Sequence, residues 1–349
     1  MDIQVADTLL GSLIDGRYRI RGRAAHDGMA TVYIATDERL GRTVALKIIH
    51  PQQVQDAPPD PSGFLARFTQ EAKTIARLTH PNVVAVYDQG AYGGRPYLVM
   101  EYVRGRTLRE VLAERRRLSP DEALAIAEQM LAAIAAAHRA GLVHRDVKPE
   151  NVLVAEAPSG GMTNLVDSVV KVADFGLARA VAASSDTEGS GQLMATVAYV
   201  APELVTEGHA DPRTDVYAAG IVLFEMLTGR VPYEGDRAID VAWAHVDNDV
   251  PRPSTLVPGI PSAVDELVER ATRRDPAARP TDAGAFQAEV QLVREGLGNA
   301  NANTAVLRQL PPQPVQPTMV VPPVHQRDDR PSWARLPESR RSGARRRAG

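Results

Sequence analysis

Between Gly141 and Gly176 the chain carries two acidic motifs separated by β-forming sequence, and few folds have a use for both. The first is His144-Arg145-Asp146-Val147-Lys148-Pro149-Glu150-Asn151, and the second is Asp174-Phe175-Gly176. Val152-Leu153-Val154 and Val169-Val170-Lys171-Val172 are β-branched runs that predict a hairpin between them, across a long connection containing Gly160-Gly161. Asp and Asn offer the hard oxygens that a small divalent cation takes, and a nearby Lys offsets charge on an anionic group. Either fragment alone reads equally well as a charged turn. Both together, in this order, do not.

The flanking sequence supplies matching parts. Arg17 to Arg21, Thr31 to Ala35 and Thr43 to Ile48 alternate apolar and polar residues, which predicts three strands. The turn between the first two is Ala24-Ala25-His26-Asp27-Gly28-Met29, and the third strand holds Val44-Ala45-Leu46-Lys47. After a Pro-rich loop from Pro51 to Pro61, the spacing of Phe64, Phe68, Ile75 and Leu78 predicts a helix that includes Glu71. His80-Pro81-Asn82 ends it, and strands are expected over Val83 to Tyr87 and Pro96 to Tyr102. Ser119-Pro120-Asp121-Glu122 is a capping box with Pro in the first turn, opening a helix that runs to Ala140 and stops at Gly141. A polar loop follows from Leu177, through Ser184-Ser185-Asp186-Thr187-Glu188-Gly189-Ser190 to Thr196, and ends in Ala201-Pro202-Glu203. Asp215 opens an apolar helix through Leu227, with Gly229 as its stop. Asp275-Pro276-Ala277-Ala278-Arg279-Pro280 precedes a last helix, expected to end by Gly296.

Together with Val83-Val84-Ala85-Val86-Tyr87-Asp88-Gln89-Gly90, Ala136-Ala137-His138-Arg139-Ala140-Gly141-Leu142-Val143-His144 and Ala210-Asp211-Pro212-Arg213, these motifs resemble the eukaryotic-like Ser/Thr protein kinases, in particular the receptor-type kinases of actinobacteria. The resemblance covers about residues 14–295. It implies an α+β, two-lobed protein-kinase fold, with a small β-rich N-lobe bearing helix C (about 14–103) and a larger, mainly helical C-lobe (about 104–295). It also implies transfer of the ATP γ-phosphate to protein hydroxyls with Mg²⁺ (or Mn²⁺), activation-loop autophosphorylation, and back-to-back homodimers through the N-lobe.

Carried onto matching positions, the resemblance assigns roles. Asp146 would accept or orient the proton of the attacking hydroxyl, and Lys148 would offset charge on the transferring group. Lys47, paired with Glu71, would bind the α- and β-phosphates, while Asn151 and Asp174 would hold the metal. Ala25, Gly28, Val32, Ala45, Met100 and the backbone of Glu101 and Val103 would enclose the nucleotide. Arg145 would take a phosphate placed on Thr187 or Ser190. Thr196 would hydrogen-bond Asp146 and Lys148, as in Ser/Thr-specific members, and Arg279 would pair with Glu203. Asp215 fits two descriptions equally, a buried acid holding the catalytic-loop backbone and an ordinary helix-start acid.

The chain departs from the pattern in its phosphate flap. Ala25, Asp27 and Ala30 stand where three glycines are expected, and Gly28 survives beside them. That motivates an alternative, a pseudokinase scaffold with weakened ATP binding. A small-molecule phosphotransferase is a third reading, against which Thr196, Glu203 and the long loop speak.

The overall net charge of −3 hides an asymmetry: residues 296–349 hold nine Arg against three acids, net +6, leaving net −9 for residues 1–295. Six prolines between Pro311 and Pro323 and five arginines between Arg340 and Arg347 predict a disordered, Pro-rich and Arg-rich tail, read first as a solvated tail, with a partner-docking segment or a juxtamembrane stretch as the sharper readings. Charge alone makes nucleic acid a weak candidate. There are no cysteines, hence no disulfide or thiolate metal site. No apolar run approaches the length of about 18 residues that a membrane span needs. The expectation is a cytoplasmic chain, associated with the membrane as relatives of this type are.

Overall fold

Strand alternation in the first hundred residues builds one antiparallel sheet and decides which side chains face the cleft. The structure, a computed structural model, describes residues 9–26, 30–50, 61–156, 165–175 and 196–309. Strands Leu13–Ile14 (β1), Tyr18–His26 (β2), Ala30–Asp37 (β3) and Arg42–Ile49 (β4) precede a helix, Pro61–Ile75 (α1). Strands Val86–Tyr92 (β5) and Arg95–Glu101 (β6) complete a six-stranded sheet of order β1-β2-β3-β4-β6-β5. Along β4, Val44, Leu46 and Ile48 enter an outer core with Tyr18, Ile20, Tyr33, Tyr97 and Val99. Ala45 and Ile49 face the other way and pack with Phe68, Ala72 and Ile75 of α1. Lys47 has their parity. Directly opposed residues of an antiparallel ladder share a face. The pairings Val32–Lys47, Lys47–Leu98 and Ala45–Met100 therefore put these five side chains on the inner face.

Strand Gly105–Thr107 (β7), helix Leu108–Arg115 (α2) and helix Pro120–Arg139 (α3) come next. They are followed by strands Val152–Ala155 (β8) and Val170–Val172 (β9), and β7-β8-β9 form a second sheet. The expected hairpin is thus present, with Val152 opposite Val172. The strand expected over Val83 to Tyr87 begins only at Val86 and continues to Tyr92. Val83 and Val84 are buried elsewhere: Val83 bridges Val172 in parallel, and the Val84 N–H donates to the Val172 carbonyl at 2.9 Å. Their backbone partner is the second sheet, which pulls them out of the first. Ser119 and Glu122 form the expected capping box on α3.

Helices Pro202–Thr206 (α4), Pro212–Thr228 (α5), Ala238–Asp247 (α6), Pro253–Leu256 (α7), Ser262–Ala271 (α8) and Ala283–Gln309 (α9) make up the rest. Every residue of α5 from Thr214 to Leu227 is buried, so it is the axis of the lobe. It ends at Gly229, where φ is +80° and a Cβ would stand 2.6 Å from the Arg116 carbonyl oxygen, so only glycine fits. The last helix passes through Gly296, its expected end, and reaches Gln309. Phe286, Val290, Val293 and Leu297 keep one helical stripe on the core, so packing carries the helix across the glycine. Most of the expected tail lies outside the described residues. Among the described residues, no helix is long and apolar enough to cross a membrane.

His245 of α6 is fully buried, with Nδ1 2.8 Å from the Tyr217 hydroxyl and its ring against Tyr233. Burial pushes its pKa from 6.5 down to about 4, and burial also raises the pKa of both tyrosines, which stay neutral. The unfolded chain therefore binds a proton that the folded one refuses as the pH drops from 6.5 toward 4. Stability present above that window is lost within it. Urea unfolding should show roughly 2 kcal/mol less stability at about pH 5 than at pH 6.5 from this group, and His245→Gln should flatten that part of the profile.

Candidate active site

One buried carboxylate shapes the loop between α3 and β8. Asp215 of α5 accepts the His144 N–H at 2.7 Å and the Arg145 N–H at 2.8 Å, and His138 Nε2 lies 2.8 Å from it. It holds the catalytic-loop backbone, which decides between its two sequence readings. Arg145 sits at φ +68°, and the Asp215 contacts keep it in that sparsely populated region. His144 is fully buried; its Nδ1 accepts the Asp146 N–H at 3.3 Å and its Nε2 lies 2.9 Å from the Ala173 carbonyl. This fixes the tautomer with the proton on Nε2. It also ties the first acidic motif to the residue before Asp174.

Asp146 is then fixed from two sides. Lys148 Nζ lies 2.8 Å from Asp146 Oδ1, and Asn151 Nδ2 donates to Asp146 Oδ2 at 3.0 Å and to its carbonyl at 2.7 Å. Lys148 Nζ also donates to Thr196 Oγ1 at 3.0 Å, so Thr196 joins the group through Lys148. Asp174, at φ +64°, pairs with Lys47 at 2.9 Å. Burial alone would raise the pKa of Asp174, but the Lys47 ammonium outweighs it and holds the carboxyl below its usual range.

These residues fit a divalent metal. Asp174 Oδ1 is buried with no hydrogen-bond partner, an acceptor that a cation would satisfy. The Asn151 amide nitrogen is spent on Asp146, which leaves its oxygen able to ligate. Among the described residues no three His, Cys, Asp or Glu side chains form a metal cluster. The remaining ligands must come from the nucleotide phosphates and water, as Mg²⁺-like sites prefer.

Other expected residues are placed as follows. Val32, Ala45 and Met100 share the inner face described above. Val103 packs against the same core. The Glu101 N–H is already given to the Ala85 carbonyl at 2.8 Å, so Glu101 can meet a base only through its carbonyl. Ala25 is opposite Val32 and exposed, while Gly28, Thr187 and Ser190 lie outside the described residues. Glu71 is placed beside Arg145, both lining a cavity of about 230 Å³ between α1 and the Gly141–Val143 loop. Arg145 Nε is buried and has no hydrogen-bond partner.

Several contacts were not foreseen. Glu101 also forms an ion pair with Lys171 of β9 at 3.0 Å, which fastens the strand before Asp174 to the end of β6. Arg109 of α2 bonds Glu150 at 2.7 Å and Glu225 at 2.6 Å, and also the Tyr199 hydroxyl. A signal for this was available: Glu225 is the one carboxylate in the apolar middle of α5, and buried acids need partners. The foreseen Arg279–Glu203 pair is present, bidentate at 2.9 Å and buried.

With fold and site in place, the comparisons agree. Residues 27–291 match the protein kinase domain model. The chain is 46% identical over 291 residues to the serine/threonine-protein kinase PknL of Mycobacterium tuberculosis, covering 83% of this chain and 69% of that protein. It is 39% identical over 283 residues to the serine/threonine-protein kinase PrkC of Bacillus subtilis, of which it covers 41%. The crystal structure of the M. tuberculosis PknI kinase domain matches 81% of this chain and 98% of its own with a TM-score of 0.62 at 26% identity. The chain belongs to the protein kinase family. That family uses ATP with a divalent metal, and the relatives named here are bacterial serine/threonine-protein kinases.

Arg279 also donates to the carbonyls of Arg213, Arg273 and Arg274, so it fastens two segments to Glu203. Arg279→Leu leaves the Glu203 carboxylate buried without its counter-ion and should cost about 3–5 kcal/mol in urea unfolding. Arg279→Lys keeps the charge but not the fork, and should recover only part of that loss.

Proposed function

We propose that this chain is a Ser/Thr protein kinase that moves the γ-phosphate of ATP to hydroxyls of protein substrates, with Mg²⁺ as the metal. The observation that carries the reading is the Asp146 carboxylate, held by Lys148 at 2.8 Å and Asn151 at 3.0 Å, with Lys148 reaching Thr196. Asp146 takes up the proton of the attacking serine or threonine hydroxyl. Lys148 offsets charge on the group in transfer, and Thr196 holds Lys148 in position. Asn151 and Asp174 hold the metal, which when bound neutralises charge on the phosphate oxygens. Lys47 binds the α- and β-phosphates. Its partner here is Asp174, and Glu71 on α1 is proposed as its second. Val32, Ala45 and Met100 wall the adenine, whose edge meets the Glu101 carbonyl and the Val103 backbone. Ala25 and Gly28 belong to the flap above the phosphates.

Arg145 is proposed to pair with a phosphate carried on Thr187 or Ser190, a reading supported by its buried Nε, which has no hydrogen-bond partner. An N-lobe homodimer and a partner for the Pro-rich tail rest on the resemblance and on composition. The scaffold alternative draws no support from the site: Lys47, Asp146, Asn151 and Asp174 are all present and joined by short contacts. Intact-mass spectrometry after incubation with Mg-ATP should show gains in steps of one phosphate. Asp146→Asn should slow them by at least about a hundredfold. Replacing Mg²⁺ by Mn²⁺ or by EDTA tests the metal, with EDTA abolishing the gain. No gain and no thermal shift with Mg-ATP would overturn the reading.

A further inference from the structure

At the base of the phosphate flap lie three side chains that neither the nucleotide site nor the catalytic loop uses. Thr31, near the start of β3, stands opposite His26 at the end of β2 and opposite Ile48 of β4. Ile48 belongs to the outer core, so His26 and Thr31 lie on the face away from Lys47. Thr31 Oγ1 is 2.8 Å from His26 Nδ1 and 2.9 Å from Nε2 of His50, the residue after β4. The two imidazole rings lie 4.9 Å apart, tilted by 35°. Thr31 is buried, His50 half-buried and His26 exposed, so the pair is open to solvent on the His26 side. The hydroxyl has one hydrogen, which it gives to one ring while it accepts the N–H of the other. Two imidazoles are thereby held about a single oxygen, with their facing nitrogens less than two hydrogen-bond lengths apart. One ring would satisfy that hydrogen; the second, packed on the first, makes a pair of aromatic nitrogen donors.

We infer that His26 and His50 together bind a transition-metal ion of the Zn²⁺ class, and that the ion clamps the end of β2 to the end of β4 across Thr31. A neutral imidazole has one nitrogen lone pair, which zinc takes at about 2.0–2.1 Å. His26, as the exposed member, is the ring that turns to bring its lone pair to the same ion as that of His50. Binding exchanges the hydrogen bonds through Thr31 for direct coordination, and leaves the hydroxyl placed to bond a metal-bound water. Water completes the shell, since among the described residues no third His, Cys, Asp or Glu joins the pair. Two protein ligands make an exchangeable site, not a structural one. Mg²⁺ takes oxygen ligands, so this ion differs in kind from the one proposed at Asn151 and Asp174. The metal site stands on the histidines alone; its consequence rests on the protein-kinase reading. Strands β2 and β3 flank the flap, and β4 carries Lys47. An ion joining His26 to His50 fixes the strand that enters the flap against the strand that bears Lys47, and so slows the release of bound nucleotide.

The experiment titrates Zn²⁺ calorimetrically into the full, untagged chain near neutral pH, with millimolar Mg²⁺ present to fill the oxygen sites. The same titration is run on His26→Gln, His50→Gln and His209→Gln, the last an exposed histidine elsewhere in the fold. The wild type should bind one ion per chain through this pair. Each of the first two variants should bind it at least about tenfold more weakly, and His209→Gln should match the wild type. Glutamine keeps a hydrogen-bonding group beside Thr31, so neither change removes the hairpin's support. Release of a fluorescent ATP analogue is then timed with and without Zn²⁺. Zinc should slow it severalfold in the wild type and in His209→Gln, and in neither of the other two. Equal zinc affinity in all four proteins would overturn the inference, as would a loss confined to one of the two rings. Zinc bound through both rings with release unchanged, or slowed equally in the variants, would overturn the clamp. A chain that takes up zinc through both histidines but transfers no phosphate would keep the metal site and overturn the kinase reading.

Discussion

The site depends on keeping one ionised group, Asp215, in the middle of the protein. A buried carboxylate is tolerable only when donors replace its water shell, and here the His144 and Arg145 amides and the His138 ring do so. A hydrogen bond to a charged group contributes about 1.5–3 kcal/mol, comparable with the 1–3 kcal/mol that a residue at positive φ costs. The two terms balance at Arg145. The conformation that aims Asp146 is therefore not a property of the loop. It is imposed by α5, whose continuous burial from Thr214 to Leu227 leaves Asp215 no freedom to move. His138 extends the constraint, because its Nδ1 accepts the Ala283 N–H at 3.3 Å and so ties the start of α9 into the same network.

A second set of contacts decides how the inner face of the six-stranded sheet meets the catalytic strands. Asn82 to Val84 leaves the first sheet and hydrogen-bonds along β9, with Asn82 Nδ2 2.7 Å from the Val170 carbonyl. Glu101 closes the circuit, since one of its carboxylate oxygens binds Lys171 and also accepts the Ala85 N–H. The end of β6, the segment after α1 and the strand leading to Asp174 are thus joined at one carboxylate. Glu101 and Asp174, proposed to meet the nucleotide edge and the metal, accordingly share a support.

Much of this was legible in the sequence. Period-two alternation gave the strands their faces, and the parity of Val44 to Ile49 alone decides that Lys47 and Ala45 point into the cleft. The capping residues Ser119 and Glu122 fixed the start of α3, because those contacts are local. Less legible were features set by distant partners. Val83 and Val84 have strand character in any window, yet which sheet claims them depends on Val172. Gly296 looks like a helix stop, and only the packing of Leu297 shows that the helix continues. Asp215 was undecided because a helix-start acid and a buried anchor have the same sequence. Arg109 gave no local sign, since its two carboxylates lie on a turn and a helix far along the chain.

The altered flap shows how separable affinity and chemistry are in this architecture. Ala30, at the third expected glycine, is fully buried with Ile49 as its ladder partner, so its Cβ is absorbed by the core. Ala25 is exposed opposite Val32, beyond a bulge between Arg23 and Ala25 that already turns the strand. Neither position requires the positive φ that only glycine adopts readily, because both lie in regular β ladder. On the proposed reading, a methyl group at each bears on how closely backbone can approach phosphate, and so on nucleotide affinity. The groups that hold Asp146 and Asp174 lie elsewhere in the chain: Lys148 and Asn151 in the loop before β8, Lys47 on β4 and, behind the loop, Asp215 on α5. On that reading, substitution in the flap bears on binding strength, while proton and charge handling is built elsewhere.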